Sequence, residues 1–362
     1  MPRILFVAAH RPDRSPSQRF RFEQYFDFLR QNGFECDFSW LVSPEDDSFL
    51  YKHGNYFSKF SFLKKSYHIR NNDLKIAENY DIIFVQREAL MFRSTRFEKA
   101  FSQKSKLVFD FDDAIWLMDV SEGNRNWRWL KDPSKTSHII EMSHMIFAGN
   151  RYLAEYAKQF NNNVKIIPTT IDTDYHKKKK SVSERDRICI GWAGSTTTIK
   201  HFRMAENFLL SLKNKYGDKI YFKLIGDEAY KDNQLGLKGA AWKLASEIED
   251  LSEFDIGIMP LPDDEWSKGK CGFKGLQYMS MEIPAVMSPV GVNTEIVDDG
   301  VNGFLAAADN EWIEKLSLLI ESEELRRRLG AEGRKTVLEK YSVESQKERY
   351  LDFFNELISN KM

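Results

Sequence analysis

Residues 254–305 read FDIGIMPLPDDEWSKGKCGFKGLQYMSMEIPAVMSPVGVNTEIVDDGVNGFL. The apolar run 256–261 and the interrupted apolar run 283–287 are each too short for a helix and are bounded by Pro or Gly, which is typical of buried strands. Residues 273–281 lie between them and read as a helix. The residues of this helix that we predict to face the sheet are Phe273, Leu276 and Met279. The stretch therefore predicts a strand–helix–strand unit of a parallel sheet.

The start of this helix has the features of an anion-binding site. It follows a turn flanked by Gly269 and Gly272, so its first N–H groups and the positive end of its dipole are available to a phosphate. Lys274 lies in the first turn, and Gln277 follows three residues later on the same face, where its amide can bond to sugar hydroxyls. An ordinary buried crossover with a surface lysine would have the same features.

Strand-like runs alternate with helical stretches along the whole chain. Strands are predicted at 4–9, 82–86, 107–111, 145–148, 188–193, 221–225, 254–260 and 284–288, with an early helix at 18–32 and a last helix at 345–358. This rhythm indicates two doubly wound α/β halves. Their junction is predicted in the polar run 168–187, which contains four adjacent lysines at 177–180.

Length and composition fit two domains and exclude some partners. A chain of 362 residues suits two domains of roughly 170 residues each. The 53 Lys and Arg against 54 Asp and Glu leave a net charge of −1, so nucleic acid is not an expected partner. Three cysteines without paired spacing fit a reducing compartment. Since neither a signal peptide nor a long apolar run is visible, we expect a cytoplasmic protein. Peripheral association with the inner membrane face is compatible with this expectation.

A second glycine turn opens the second half. The segment 187–202, RICIGWAGSTTTIKHF, reads as a strand, a turn at Gly194 and a helix that opens near Thr197 or Thr198. Ser195 and Lys200 lie in this turn and helix, where hydroxyls and N–H groups converge; a capped helix with a surface lysine is the alternative. The turn lacks a Walker Gly-Lys-Ser/Thr, and the first strand lacks a G-x-G-x-x-G turn, so ATP cleavage and dinucleotide redox chemistry lose support.

Charged residues follow the central strands of the first half. Segment 108–116, VFDFDDAIW, places Asp110, Asp112 and Asp113 at the carboxyl end of a strand, where open sheets bind ligands. Paired carboxylates there could orient an acceptor hydroxyl or serve as a base, or one could merely cap the next helix. Three arginines are predicted to contact either an anionic acceptor substrate or the phosphate of a donor substrate, unless they pair with carboxylates. They are Arg19, Arg21 and Arg87.

Residues 51–72 combine five Lys or Arg and six aromatic residues with no acid. Such a segment suits an anionic membrane surface. A solvated loop and helix with its aromatic residues in the core is the alternative.

The motifs in 188–200 and 254–305 resemble those of family 4 retaining glycosyltransferases. The matching positions are Gly272-Phe273, Gln277, Pro284, Glu295-Ile296-Val297, Asp299-Gly300 and Asn302 to Leu305. In that family a glutamate that holds the donor ribose stands at the position of Gln277, and another glutamate stands at the position of Gly269. The family also places an arginine at the position of Ser195 and a lysine at that of Lys200, both on the donor diphosphate.

The resemblance implies a GT-B architecture, with two facing Rossmann-like domains and a C-terminal helix that crosses back to the first. It assigns acceptor binding to 1–170, a linker to 171–187, nucleotide-sugar binding to 188–344 and the returning helix to 345–362. The expected reaction is retaining transfer from a nucleotide sugar to a glycan or lipid-linked acceptor in surface polysaccharide or glycoconjugate synthesis. Asp110 and Asp112 are also similar to the metal-binding Asp-x-Asp of the other large glycosyltransferase fold, but the diphosphate-binding features lie in the second half, so no metal is expected. No cofactor is expected either.

The resemblance also implies a role for each matched residue. The groups expected on the departing diphosphate are Lys274, Lys200 and the amides of Gly272 and Phe273, beside the turn at Gly194 and Ser195. Gln277 would hold the ribose, Glu295 would order the loop beside the donor, and Asp112 or Asp113 would face the acceptor. Two rivals stay open: a nucleotide-sugar epimerase of the same fold, and a non-catalytic relative that binds a nucleotide sugar or glycan.

Overall fold

The computed structural model describes residues 1–52, 54–117, 132–178 and 186–359. Chain contacts divide the protein into two compact units, one of Met1–Thr169 with Gln346–Met362 and the other of Thr170–Ser345. Of the predicted linker 171–187, residues 179–185 lie outside the described residues, as do His53 of the segment 51–72 and residues 360–362. The earlier part of that predicted linker is in the second unit, where the Ile171 N–H donates to the Tyr341 carbonyl and His176 is buried.

The first unit contains a six-stranded parallel sheet in the order β2-β1-β3-β4-β5-β6. Its strands are β1 (Arg3–Val7), β2 (Glu35–Ser39), β3 (Ile82–Gln86), β4 (Lys106–Phe111), β5 (Met145–Ala148) and β6 (Val164–Ile166). Its described helices are α1 (Pro16–Arg19), α2 (Phe26–Gln31), α3 (Pro44–Leu50), α4 (Tyr56–Ile76), α5 (Arg96–Lys104), α6 (Lys135–Met142) and α7 (Arg151–Ala157). The predicted parallel α/β organisation is confirmed here.

The single early helix predicted at 18–32 is wrong. The structure has α1, a 3₁₀ turn at Glu23–Tyr25 and then α2. Phe20, Arg21 and Phe22 are all buried, and three consecutive residues of one straight helix cannot all face the same core. The break in the helix is what allows all three side chains to be buried.

The second unit contains a five-stranded parallel sheet in the order β13-β12-β11-β7-β8. Its strands are β7 (Ile188–Ala193), β8 (Ile220–Ile225), β11 (Ile256–Met259), β12 (Ala285–Met287) and β13 (Phe304–Leu305), with a separate antiparallel pair of β9 (Lys231–Asp232) and β10 (Leu237–Lys238). Its described helices are α8 (Ile199–Arg203), α9 (Glu206–Tyr216), α10 (Glu247–Ser252), α11 (Glu265–Lys268), α12 (Phe273–Ser280), α13 (Asn293–Ile296), α14 (Asp309–Glu321) and α15 (Glu323–Thr336). Leu276 and Met279 of α12 are fully buried, as predicted, whereas Phe273 in its first turn is half-buried.

The last helix, α16 (Val343–Ser359), contributes its residues from Gln346 onward to the first unit. Tyr350 stacks on Tyr25 with ring centroids 4.3 Å apart, and its hydroxyl donates to the Arg21 carbonyl at 3.0 Å. Phe354 packs edge-on against Phe6 of β1. An aromatic face of α16 is therefore part of the first unit's core. Among the described helices, none combines the length and apolarity that crossing a bilayer requires.

Candidate functional site

The carboxyl ends of β7 and β8 in the second unit are held together by two glycines. Gly226 follows β8 with φ of +116°, and a Cβ built on it would lie 2.1 Å from the carbonyl oxygen of Gly194, which follows β7. Only glycine permits both this backbone conformation and this close approach. The predicted turn at Gly194 therefore lies at the edge where open parallel sheets bind ligands.

Helix α12 begins at the same edge of that sheet. Its N-cap, Gly272, has φ of +68°, and a Cβ there would lie 2.2 Å from Cδ1 of Ile296 in α13, so this position also requires glycine. Further along α12, the Tyr278 hydroxyl accepts a hydrogen bond of 2.8 Å from the Ala193 N–H at the end of β7. This hydrogen bond connects α12 to the end of β7, directly before the Gly194 turn.

Two lysines near the start of α12 lie over aromatic rings. Lys274 of α12 places its Nζ 5.5 Å from the ring centroid of Trp192, and Lys270 places its Nζ 5.1 Å from that of Trp266. The charges of the lysines also affect His201 of α8. Burial, and then the positive charges of Lys274, Lys270 and Lys200, lower the pKa of His201 to about 4. The predicted Lys200 and Lys274 therefore act on the same imidazole, and so does Lys270, which was not among the predicted site residues. Both Lys270 and His201 could have been predicted from the sequence, since Lys270 lies inside the glycine turn and His201 directly follows Lys200.

The predicted capping role at the Gly194 turn belongs to Ser195. Its hydroxyl lies 2.9 Å from Oγ1 of Thr197, and its N–H donates to Oγ1 of Thr198 at 3.0 Å. These contacts cap a 3₁₀ turn at Thr196–Thr198, and α8 starts only at Ile199, one to two residues after the predicted helix start. The short side chain that replaces an arginine in the resembled family therefore orders the turn.

The pH dependence of stability should report on His201, whose pKa is lowered by burial and by lysine charges. With a pKa near 6.5 when unfolded and about 4 when folded, this imidazole takes up a proton on unfolding below pH 6.5, so stability falls as the pH drops towards 4. We expect a loss of about 2 kcal/mol between pH 7 and pH 5 from this group. Urea unfolding of wild type and His201→Gln at both pH values checks it, with exposed His138→Gln as control. Equal pH dependence in wild type and His201→Gln would contradict the prediction.

Gln277 lies in a buried network on α12. Its Nε2 is 3.3 Å from Oε1 of Glu247 and 3.3 Å from Nε2 of His176, and the Trp242 indole donates to the same Glu247 oxygen at 3.1 Å. Sequence reasoning missed Glu247, His176 and Trp242, because no local pattern links them to Gln277. Glu295 of α13 is exposed. Contact of Gln277 with a ribose, and ordering of a loop by Glu295, stay predictions.

In the first unit, Arg87 joins the two predicted carboxylates. It follows β3 with a left-handed φ of +63°, which is rare for a residue with a side chain and is common at functional sites. Its guanidinium donates to Asp112 Oδ1 at 2.9 Å, to Asp113 Oδ2 at 2.6 Å and to the Ser17 hydroxyl at 2.7 Å. The cluster lies at the carboxyl ends of β3 and β4 and remains partly accessible to solvent.

The prediction that Arg21 contacts an anionic acceptor is wrong. Its side chain is fully buried and forms an ion pair with the equally buried Asp110, and it also donates to the Ile167 carbonyl. Arg21 therefore neutralises a buried carboxylate in the core and is not accessible to a ligand. Arg19 is nearly buried, with its Nε 4.0 Å from Asp13 Oδ1. Within the described residues, no three His, Cys, Asp or Glu side chains are grouped so as to hold a metal ion.

Comparisons with known proteins match the second unit to a family. Residues 188–322 match the family described as "Glycosyl transferases group 1". Trehalose synthase from Pyrococcus horikoshii is 36% identical over 67 residues, which cover 18% of this chain and 16% of that protein. The chain thus aligns with less than a fifth of this curated relative.

Several solved structures resemble the whole chain. A glycosyltransferase from Rickettsia africae has a TM-score of 0.69 at 13% identity and covers 99% of both chains. Sucrose-phosphate synthase from Thermosynechococcus elongatus has a TM-score of 0.68 at 12% identity over 100% of both chains. Anabaena HepE in complex with UDP and glucose has a TM-score of 0.68 at 13% identity, covering 98% of this chain and 99% of its own. The fold is therefore GT-B, as the resemblance predicted.

Proposed function

We propose that this chain, whose residues 188–322 match the group 1 glycosyl transferases, is a retaining glycosyltransferase that uses a nucleotide-sugar donor. The observation that carries the proposal is the start of α12 at Gly272, where Lys274 Nζ lies 5.5 Å from the ring centroid of Trp192 in β7, at the carboxyl edge of the second sheet. The charges of Lys200, Lys270 and Lys274 all lower the pKa of His201, which supports the same assignment. Cations and oriented N–H groups at such an edge suit the diphosphate of a nucleotide sugar.

In this reaction, the bond between the anomeric carbon and the diphosphate oxygen breaks, and the acceptor hydroxyl oxygen bonds to the anomeric carbon on the same face. The hydroxyl proton passes to an oxygen of the departing diphosphate as the new bond forms. Lys274, Lys200 and the N–H groups of Gly272 and Phe273 stabilise the negative charge that grows on the departing diphosphate, a task for which preorganised donors are effective. Because the lysines supply this charge stabilisation, we propose that transfer needs no metal ion.

We propose that the acceptor, a glycan or a lipid-linked sugar, binds in the first unit at the Arg87 cluster. Arg87 orients the carboxylates of Asp112 and Asp113, which can accept hydrogen bonds from sugar hydroxyls. The proposed pathway is synthesis of a surface polysaccharide or glycoconjugate. UDP is the first nucleotide to test, because the similar HepE structures contain UDP or UDP-glucose.

A thermal-shift screen tests the donor site. Purified protein is heated with UDP, GDP, CMP, ADP or dTDP, in magnesium and in EDTA. We expect one diphosphate to raise the unfolding temperature equally in both buffers, because a ligand at 100 times its Kd stabilises the native state by about 2.7 kcal/mol. A shift that requires magnesium would contradict metal independence, and no shift with any nucleotide would overturn the donor assignment.

Non-catalytic binding of a nucleotide sugar is the second candidate function. Ser195 and Gly269 favour it, since the resembled family has an arginine and a glutamate at these positions. Incubation with the donor selected by the screen and a panel of acceptors separates the candidates by mass spectrometry. A new glycoside supports transfer, an isomerised donor without acceptor supports epimerisation, and an unchanged donor despite a thermal shift supports the binding protein.

A further inference from the structure

Helix α4 has the reverse of the usual distribution of polar and apolar residues. The side that packs on the first unit carries Lys59, Phe62, Ser66, Arg70 and Asp73. The solvent side of its first turns carries large aromatic residues: Phe57 is 94% exposed, Tyr56 56% and Phe60 55%. A water-facing helix normally shows polar residues here, so the exposed aromatic residues indicate a surface that contacts something other than water.

The buried contacts of α4 fix which side faces outward. Arg70 donates to the Ala8 carbonyl at 2.7 Å and to the Ala89 carbonyl at 2.6 Å, and it pairs with Asp73 at 2.9 Å. Near the other end, the Lys59 ammonium donates to the Lys52 carbonyl at 2.6 Å. Rotating the helix to bury Phe57 would break these buried contacts. The aromatic side is therefore held outward by the first unit itself.

The charge around these aromatic residues has one sign. No acid occurs from residue 51 to residue 72, and Lys52, Lys64 and Lys65 are exposed beside the aromatic residues. Lys64 places its Nζ 4.9 Å from the ring centroid of Phe60, while Lys65 is paired with Asp46 of α3 at 2.6 Å. Exposed aromatic rings flanked by lysines match the boundary between lipid headgroups and acyl chains, where rings enter the apolar layer and ammonium groups meet phosphates.

We propose that the exposed face of α4 formed by Tyr56, Phe57, Phe60 and Lys64, together with Lys52, docks this protein on an anionic bilayer surface. Phe57 and Phe60 enter the headgroup layer, and the lysines contact lipid phosphates. This inference does not rest on the proposed transfer reaction, because it concerns a helix outside the Arg87 cluster and the diphosphate site. It also replaces the alternative in which the aromatic residues of 51–72 all lie in the core; of these, only Phe62 is buried.

Sedimentation with vesicles tests the proposal. The full chain is mixed with vesicles of phosphatidylcholine alone or with about one third phosphatidylglycerol. We expect binding only to the anionic vesicles, and a Lys52→Glu/Lys64→Glu variant should bind at least about tenfold more weakly, since each basic residue near such a surface contributes about a fivefold factor. A Phe57→Ser/Phe60→Ser variant should also lose binding. All of these positions are exposed, so circular dichroism and melting should match wild type.

The matched controls are Phe160→Ser and Lys99→Glu, which change exposed residues elsewhere in the first unit. They should sediment like wild type. Absence of binding to anionic vesicles, or equal losses in the controls, would overturn the proposal. Light scattering tests whether a second copy of the chain covers this face instead. A concentration-dependent dimer that Phe57→Ser/Phe60→Ser abolishes, without vesicle binding, would assign the face to that second copy and overturn the membrane proposal.

Discussion

Replacing Lys274 by alanine is expected to lower kcat for sugar transfer by about 10²–10³-fold while the protein stays folded. The side chain is half-buried in the first turn of α12, beside Trp192 and within the field that acts on His201. Removing one preorganised charge-stabilising group from a transition state typically costs this much. The measurement is kcat and KM with the donor found by thermal shift, together with the unfolding temperature. The Kd for the nucleoside diphosphate should rise as well.

Lys335→Ala is the matched control for this variant. Lys335 lies in α15 of the same unit, and its side chain is 63% exposed. Its replacement should leave kcat, KM and the unfolding temperature unchanged. Activity of Lys274→Ala within about threefold of wild type would remove this lysine from the proposed mechanism. Lys274→Arg should recover part of the rate, since it restores the charge with a different geometry.

Breaking the buried ion pair between Arg21 and Asp110 is expected to cause the largest loss of stability. Arg21→Met would leave the carboxylate of Asp110 in the core without its guanidinium, a change that typically costs about 3–5 kcal/mol. Burial, opposed by the charge of Arg21, already raises the pKa of Asp110 above its ordinary value, so the unpaired acid should take up a proton. For a unit of this size, the unfolding temperature should fall by roughly 6–20 °C.

Calorimetry of three further variants makes this prediction specific. The double variant Arg21→Met/Asp110→Leu should recover much of the loss, because replacing both partners by apolar residues removes the unpaired charge. Arg30→Ala breaks the exposed pair with Asp27 and should change stability by less than about 1 kcal/mol. If Arg21→Met melts like Arg30→Ala, the buried pair is not essential to the core.

Features that depend on neighbouring residues were predictable from the sequence. The strands at 82–86, 145–148 and 188–193 have the predicted bounds, since short apolar runs between turn residues favour strands wherever they lie. The glycine turn before α12 was predictable for the same local reason, and so was the place of Lys274 in the first turn. The network of Gln277 was not predictable, because its partner His176 is 101 residues away in the chain.

The alternation of strands and helices, the glycine turns at strand ends and the positions of charged residues beside them all follow from the local sequence. Each of these follows from backbone preferences and hydrophobic period over a few residues. Which of the charged residues are buried depends instead on long-range packing. Arg21 meets Asp110 across 89 residues, and Arg70 of α4 reaches Ala8 across 62. Burial is set by contacts between distant segments, so the same residue type serves the core at Arg21, a charged cluster at Arg87 and the orientation of an exposed aromatic face at Arg70.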